Sequence, residues 1–256
     1  MTGRESEADR LYRDPELTQF YDLWDPWNTD MDFCSGLSRD AGSVLDLGCG
    51  TGVFLAGLDP TLVRTGVDPA EAMLEIARDR PGGETVDWIE GDARSVRLDR
   101  RFDLVVMTGH AFQVFLDDDD MRAVAETIAV HLAPGGRFVF DSRNPAREAW
   151  RTWVPDQSFE VLHHPRLGKV ESWNDVRPES RPEVFVYETH YRAVETGETW
   201  SAESKIRFAP KPTIEAALGD AGLTVDQWLG DWHGGPYADD AKEIIPLGRL
   251  ARPAAG

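Results

Sequence analysis

The segment Val44–Gly52, VLDLGCGTG, limits what this chain can fold into more than any other. A short apolar run, Ser43–Leu47, leads straight into glycines at 48, 50 and 52. Glycines placed there let the backbone pass close to a ligand at the carboxyl end of a strand. A dinucleotide-binding loop is the obvious rival, and spacing decides against it. The fingerprint G-x-G-x-x-G/A would put its third small residue at Val53 counted from Gly48, or at Leu55 counted from Gly50. Neither residue fits. Asp46, inside the strand, would repel a pyrophosphate; it suits a ligand carrying an amine or a sulfonium.

A regular alternation follows. Leu62–Val67 reads as a second strand ending at Asp68, and Ala70–Arg80 as a helix with Met73, Ile76 and Ala77 on one stripe. Thr85–Ile89 is a third strand ending near Asp92, and Phe102–Met107 a fourth ending at Thr108. Asp118–Leu132 is helical, Pro134-Gly135-Gly136 stops it, and Arg137–Asp141 is a fifth strand. Strands alternating with helices imply crossover units and a parallel sheet. Near-continuous apolar runs such as LVVM suit strands buried on both faces. After Asn144-Pro145 the pattern changes to period-two stretches over 158–208. Glu183–Arg192 and Thr199–Phe208 flank a turn containing Gly197, which predicts a hairpin. A helix over Pro212–Ala221 and strands over Thr224–Leu229 and Glu243–Leu250 complete the chain. The expected organisation is an N-terminal arm or lid over 1–40, a core over 41–145, an antiparallel insertion over 146–210 serving as a substrate cover or a dimer contact, and the rest of the core sheet over 211–256.

Composition excludes several classes. A chain of 256 residues, 41% hydrophobic, fits one large domain or one domain with an insertion. A net charge of −19 makes nucleic acid and anionic lipid poor partners. No apolar run approaches the roughly 20 residues that cross a bilayer. MTGRESEADR has no apolar stretch of a secretory signal, and Cys34 and Cys49 are too few for a disulfide framework or a metal cluster. A reducing cytoplasm is therefore the expected location, and no metal is expected. The run Asp117–Asp120 reads as a solvated helix start, where carboxylates meet the positive end of the helix dipole.

Two strand-end acids carry ligand readings. Asp68 can accept hydrogen bonds from both hydroxyls of a ribose. The plainer reading is a helix start, because Asp68-Pro69-Ala70-Glu71 has the residues of an N-cap, a first-turn proline and a capping glutamate. Asp92, in Glu90-Gly91-Asp92-Ala93, lies where an acceptor beside a backbone N–H can meet an adenine edge, or it is an ordinary loop residue.

VLDLGCGTG, the acid of TGVDPA, the GDA after strand three, FDLVVMTG and LAPGGRFVF together resemble the class I S-adenosylmethionine-dependent methyltransferases. The resemblance runs from Leu45 to about Pro145 and continues more weakly through Ile206-Arg207-Phe208, the AALGDAGL helix and Glu243-Ile244-Ile245. DMDF and SRNP resemble a small-molecule branch of that family. It implies an α/β, Rossmann-like seven-stranded sheet with the last strand antiparallel, and S-adenosyl-L-methionine as cofactor. Laid on this chain, it implies that Gly48 and Gly50 line the methionine part, that Gly52 also belongs to the cofactor site, and that Asp46 helps hold the ammonium, directly or through water. Asp68 would bind the ribose, Pro69 and Met73 the adenine face, and Asp92 with Ala93 the adenine edge. Met107 and Thr108 would lie near the sulfonium, with Tyr21 closing over the cofactor. Pro246 departs from the pattern, since a proline inside the last strand removes a ladder donor; it implies either a bulge or a misplaced strand.

Methyl transfer from a sulfonium needs positioning and desolvation, and a base only where the acceptor must lose a proton. His110, just after strand four, is the candidate base, with a structural loop residue as its alternative. Gln113 and Arg143 are candidate acceptor contacts; Arg143 can grip an acidic group or serve an internal ion pair. His131 reads as a cation at a helix end, and His163, His164 and His190 as insertion residues. Trp150, Trp153, Trp173 and Trp200 read as core of the insertion, with the lining of an apolar acceptor pocket as the alternative for some of them. The expected activity is methyl transfer to an oxygen or nitrogen of a small-molecule acceptor by a monomer or homodimer. A cofactor-binding module serving a partner protein and an RNA methyltransferase are the alternatives.

Overall fold

The structure, a computed structural model, describes residues 10–24 and 27–251. After β1 (Ser43–Leu47) come β2 (Val63–Asp68), β3 (Asp87–Glu90), β4 (Phe102–Met107), β5 (Leu132–Phe140) and the two-residue β6 (Ser142–Arg143). The insertion supplies β7 (Glu160–His164), β8 (Gly168–Pro178), β9 (Val184–Ala193) and β10 (Thr199–Arg207), and β11 (Leu223–Leu229) and β12 (Glu243–Leu250) close the chain. The large sheet has the order β11-β12-β5-β4-β1-β2-β3, with β6 paired to β12. β1 pairs in parallel with β2 and β4, while β12 runs antiparallel to β5 and to β11. This is the expected sheet with its antiparallel last strand, plus β6.

Helices cover both faces, because successive strand residues alternate sides. Leu45 and Leu47 of β1 and Val105 and Met107 of β4 point to one face, where they pack with Met121, Val124 and Ile128 of α6 (Asp118–His131) and Ile214 and Leu218 of α8 (Lys211–Asp220). Val44, Leu104 and Val106 point the other way, to Cys34 of α3 (Thr29–Ser38) and Phe54 and Leu55 of α4 (Val53–Gly57). α5 (Glu71–Asp79) buries Met73, Leu74 and Ala77, as its stripe predicts. Among the described residues no helix is long and apolar enough to cross a membrane.

The insertion forms a separate four-stranded antiparallel sheet, β10-β9-β8-β7. Its β9–β10 hairpin matches the predicted one, and β7 and β8 extend it. The short helix α7 (Pro155–Ser158) precedes it. The N-terminal arm divides in two. α1 (Arg10–Arg13) and α2 (Pro15–Thr18) lead to Phe20, which stacks on Tyr191 at 4.3 Å between ring centres. Leu11, Leu17 and Phe20 share a core with Val170, Tyr191 and Ala202, so this part belongs to the insertion sheet, whereas α3 belongs to the main sheet. Residues 1–9 and 25–26 of the expected arm lie outside the described residues.

Pro246 resolves neither as a bulge at its own position nor as a misplaced strand. β12 spans it, and the irregularity lies in β11, between Val225 and Gln227. On the other edge β12 pairs with β5 through Leu247↔Val139 and with β6 through Ile244↔Ser142. The residue without a ladder donor thus sits where β5 gives way to β6, and Asp141 occupies that break.

The expectation for His131 fails. His131 is not a helix-end cation: it is buried, its Nδ1 donates to the Thr127 carbonyl at 2.7 Å, and its Nε2 accepts from Leu98 N at 2.8 Å. Burial pushes its pKa down, so the ring is a neutral bridge in the core. The acids at 117–120 behave as expected: Asp117 caps α6 by accepting from Asp120 N, and the next three pair outward with Arg207, Arg122 and Arg94.

Gly52 has φ +75°, and a Cβ there would lie 2.5 Å from the Trp88 ring and 2.7 Å from Ala77. Gly52→Ala is expected to lower stability by about 1–3 kcal/mol, the scale of overpacking a filled site, read as a lower urea midpoint with an unchanged slope.

Candidate active site

A cavity of about 860 Å³ opens at the carboxyl ends of the parallel strands, between the main sheet and the insertion. Its floor is the turn after β1. Gly48 and Gly50 have φ of +80° and +52°, values that favour glycine, and Gly48 N and Cys49 N both donate to the Val67 carbonyl. Asp68, at the end of β2, locks this turn. Its Oδ2 accepts from Gly50 N and its Oδ1 from Ala70 N, each at 2.9 Å. The cap-like reading and the strand-end reading of Asp68 are therefore both realised: it holds the next turn by its own backbone and still lines the cavity. Burial raises its pKa, against the two backbone bonds.

Asp46 lies two residues before the turn and is 1% exposed. Its Oδ1 is buried with no hydrogen-bond partner among the described residues. Burial first, then Asp68 and Asp30, push its pKa up to about 8. An orphaned buried carboxylate oxygen is costly, and a cationic ligand group would relieve it. Asp46 and Gly52 themselves do not line the cavity; Gly52 faces Trp88 and Ala77 instead.

Pro69, Met73 and Ala93 line the next part of the wall, beside Asp92. Asp92 is less free than its strand-end position suggests. Arg94 donates to both of its oxygens and bridges on to Asp120, and this bond, first among the causes, holds the Asp92 carboxyl below its usual range. Tyr21, which is 43% exposed, lies over the turn: a Cβ on Gly50 would be 3.8 Å from its ring. Tyr12 donates to or accepts from Tyr187 at 2.7 Å between hydroxyl oxygens, tying the arm to the insertion beside the same cavity.

Met107, Thr108 and His110 follow β4 along the opposite wall. His110 has φ +63°, rare outside glycine, and its N donates to Asp141 Oδ1 at 2.9 Å. Its Nε2 stands 3.1 Å from Glu243 Oε2 and 3.4 Å from Asp141 Oδ2. The three side chains are a grouping that could hold a metal ion. Asp141 is buried, which raises its pKa, against the attraction of His110.

Gln113 does not reach the cavity. It is buried, and its amide donates to the Arg207 carbonyl and accepts from Arg143 Nη1, both at 2.9 Å. Arg143 does line it, with its guanidinium 5.2 Å from the Trp153 ring centre. Trp153, Arg181 and Lys205 extend the wall on the insertion side. Sequence reasoning missed Asn174, Arg181, Tyr187 and Lys205, because nothing in a period-two pattern says which strand face turns toward a cavity shared with the main sheet, and it missed Tyr12 and Arg13 because the arm shows no clear period.

The donor set suits one ligand class. A glycine turn approaches it, Asp68 keeps lone pairs for hydroxyls, and Asp46 waits for a cation; Met73 offers a polarizable contact to a flat ring. S-adenosylmethionine carries each of these features, so the residues fit it.

Comparison with known proteins agrees. The model of the methyltransferase domain family matches residues 44–136. A cypemycin N-terminal methyltransferase from a Streptomyces species is 29% identical over 210 residues, 80% of this chain and 82% of that protein. The dTDP-3-amino-3,6-dideoxy-alpha-D-glucopyranose N,N-dimethyltransferase of Streptomyces fradiae is 30% identical over 198 residues, 74% of this chain and 72% of that protein. The crystal structure of an S-adenosylmethionine-dependent methyltransferase from Clostridium acetobutylicum has the same fold, with a TM-score of 0.75 at 18% identity, covering 93% of this chain and 98% of the other. The glycine turn after β1, the acid ending β2, the antiparallel last strand and these likenesses lead to one conclusion: the chain belongs to the class I S-adenosylmethionine-dependent methyltransferases and is an enzyme of that family.

Proposed function

We propose that this enzyme methylates an amine nitrogen of a small molecule, with the cofactor seated on the β1 turn and the acceptor beneath the insertion. The observation that carries the cofactor pose is the unpartnered Asp46 Oδ1 beside a turn locked to Asp68. Bound S-adenosylmethionine supplies an activated methyl group on a sulfonium. Asp68 accepts from the ribose hydroxyls with the lone pairs its backbone bonds leave free. Asp46 balances the ammonium, directly or through water. Pro69 and Met73 press on the adenine face, Ala93 presents backbone to its edge, and Asp92 keeps its fork with Arg94. Tyr21 covers the turn and excludes water, which a displacement at sulfonium carbon requires.

Nitrogen is favoured as the acceptor atom by two related proteins whose names specify an N-terminal methyltransferase and an N,N-dimethyltransferase. Glu243, 3.1 Å behind the His110 ring, favours it as well, since its charge makes that wall attractive to a protonated amine. At the insertion end Arg143 has no ion-pair partner among the described residues, so it is available to an acidic group of the acceptor. Cys34 and Cys49 are both buried and free, in keeping with a reducing, cytoplasmic setting.

Incubation with methyl-labelled S-adenosylmethionine tests the reading directly. The probes are the aminosugar nucleotide dTDP-3-amino-3,6-dideoxy-alpha-D-glucopyranose and a peptide with a free N-terminus. Label on an amine nitrogen is the expected result; label only on hydroxyl acceptors would overturn it. Asp68→Ala is expected to weaken S-adenosylhomocysteine binding by about 1–3 kcal/mol, the scale of a hydrogen bond to a charged group, and calorimetry that finds no change would remove Asp68 from the site. In the free enzyme Asp46 is protonated below about pH 8. An ammonium placed beside it favours the carboxylate, so its pKa falls on binding. Below about pH 8 cofactor binding is therefore expected to release a proton, seen as a buffer-dependent heat, and Asp46→Asn is expected to abolish that dependence.

A further inference from the structure

His110, Asp141 and Glu243 form a cluster that cofactor binding does not use. We infer that Asp141 and Glu243 hold His110 as a proton acceptor for the substrate amine, with Nε2–H turned inward to the carboxylates and Nδ1 turned toward the cavity. Asp141 and Glu243 are positioning residues; His110 is the group that meets the acceptor. The inference rests on the amine reading above only for the source of the proton.

Three observations carry it. First, the ring is oriented by its contacts. Nε2 lies within 3.4 Å of both Asp141 Oδ2 and Glu243 Oε2, whereas Nδ1 has no partner among the described residues. A carboxylate can only accept when ionised, so the neutral ring places its hydrogen on Nε2 and its lone pair on Nδ1. Second, His110 lines the cavity and neither carboxylate does, so the residue that meets the open space is the histidine, with its acids behind it. Third, the backbone is bent to present this ring. Gly109 and His110 are consecutive residues in the left-handed region, at φ +66° and +63°. That geometry is sparsely populated by non-glycine residues and recurs at functional sites. It is held by Asp141 Oδ1, which accepts from His110 N, and by Asp30 Oδ2, which accepts from Gly109 N at 3.2 Å. Asp141 thus fixes both the backbone and the ring of the same residue.

The charged groups against the ring are Asp141 after β5 and Glu243 at the start of β12; behind them Asp30 of α3 acts on Asp141, and Arg143 of β6 is opposite Glu243 in the β6–β12 ladder. Trp232 donates to Asp141 Oδ2 at 3.3 Å and limits how far that carboxylate can turn. The step balances simply. A protonated amine gives one proton to His110 Nδ1, leaving a neutral amine and an imidazolium whose Nε2–H stays on the carboxylates. The amine lone pair then forms the N–C bond as the S–C bond breaks and its electrons return to sulfur. The imidazolium afterwards releases its proton to water.

Protein carrying ¹⁵N-labelled histidine distinguishes the outcomes by long-range proton–nitrogen correlation, with the His110 signals assigned by their loss in His110→Asn. At pH 9 the wild-type enzyme is expected to show His110 with its proton on Nε2. Glu243→Ala and Asp141→Asn are each expected to raise the Nδ1–H fraction several-fold while the other five histidines stay unchanged. A wild-type ring protonated on Nδ1, or a tautomer unmoved in both variants, would overturn the inference. So would displacement of the Nε2 proton by equimolar Zn²⁺ or Mn²⁺, because the cluster would then be a metal site. In turnover with whichever amine probe takes label, Glu243→Ala is expected to lower kcat by about tenfold or more, with KM little changed. If label instead reaches only hydroxyls, the amine reading fails while the tautomer result still stands or falls separately.

Discussion

The site depends on the bond between Gly50 N and the Asp68 carboxylate. Two strands of a parallel sheet end side by side, and their following turns would otherwise be independent loops. Asp68 accepts from the turn after β1 and from the first residues after β2, so one side chain sets the spacing of both. Backbone donors satisfied by a charged acceptor make strong, directional contacts, and the glycines let the chain take the left-handed angles that the contact requires. The floor of the cavity, the place of Asp46 and the contact of Tyr21 with Gly50 all follow from that lock. Because Asp68 is also a wall of the cavity, the residue that organises the scaffold is available to the ligand.

A second constraint operates at the far edge of β5. Pro246 cannot donate to a ladder, and the sheet accommodates it by ending β5 at Phe140 and resuming pairing at Ser142. Asp141 falls in the gap. Its backbone is freed from strict sheet pairing, and its carboxylate reaches across to His110 N and the His110 ring. The proline that looked like a departure from the family pattern thus lies beside the break in pairing where Asp141 sits.

Much of the main sheet was legible in the sequence because each strand carries its own signal. β1, β4 and β12 have the boundaries that their apolar runs predict; the spacing of the glycine turn argues against a dinucleotide, and the methyl donor is what the family resemblance implies. The insertion hairpin was legible from its alternation. What escaped was set by contacts between distant segments. Asp92 is gripped by Arg94, Gln113 is committed to Arg143 and Arg207, and His131 is a buried bridge; each has an ordinary local sequence, and only tertiary packing decides its partners. The arm gave no periodicity because its apolar residues serve two cores, Phe20 in the insertion and Cys34 under the main sheet. Tyr12 and Tyr187, 175 residues apart, meet across the cavity without any signal that either sequence neighbourhood could carry.

A crystal structure of the enzyme with S-adenosylhomocysteine tests the central claim most directly. The ribose hydroxyls are expected on Asp68, the amino-acid part over Gly48 and Gly50 with its ammonium toward Asp46, and the sulfur facing the His110 wall. An adenosyl group seated elsewhere, or a ribose that leaves Asp68 without a contact, would contradict the assignment of this cavity.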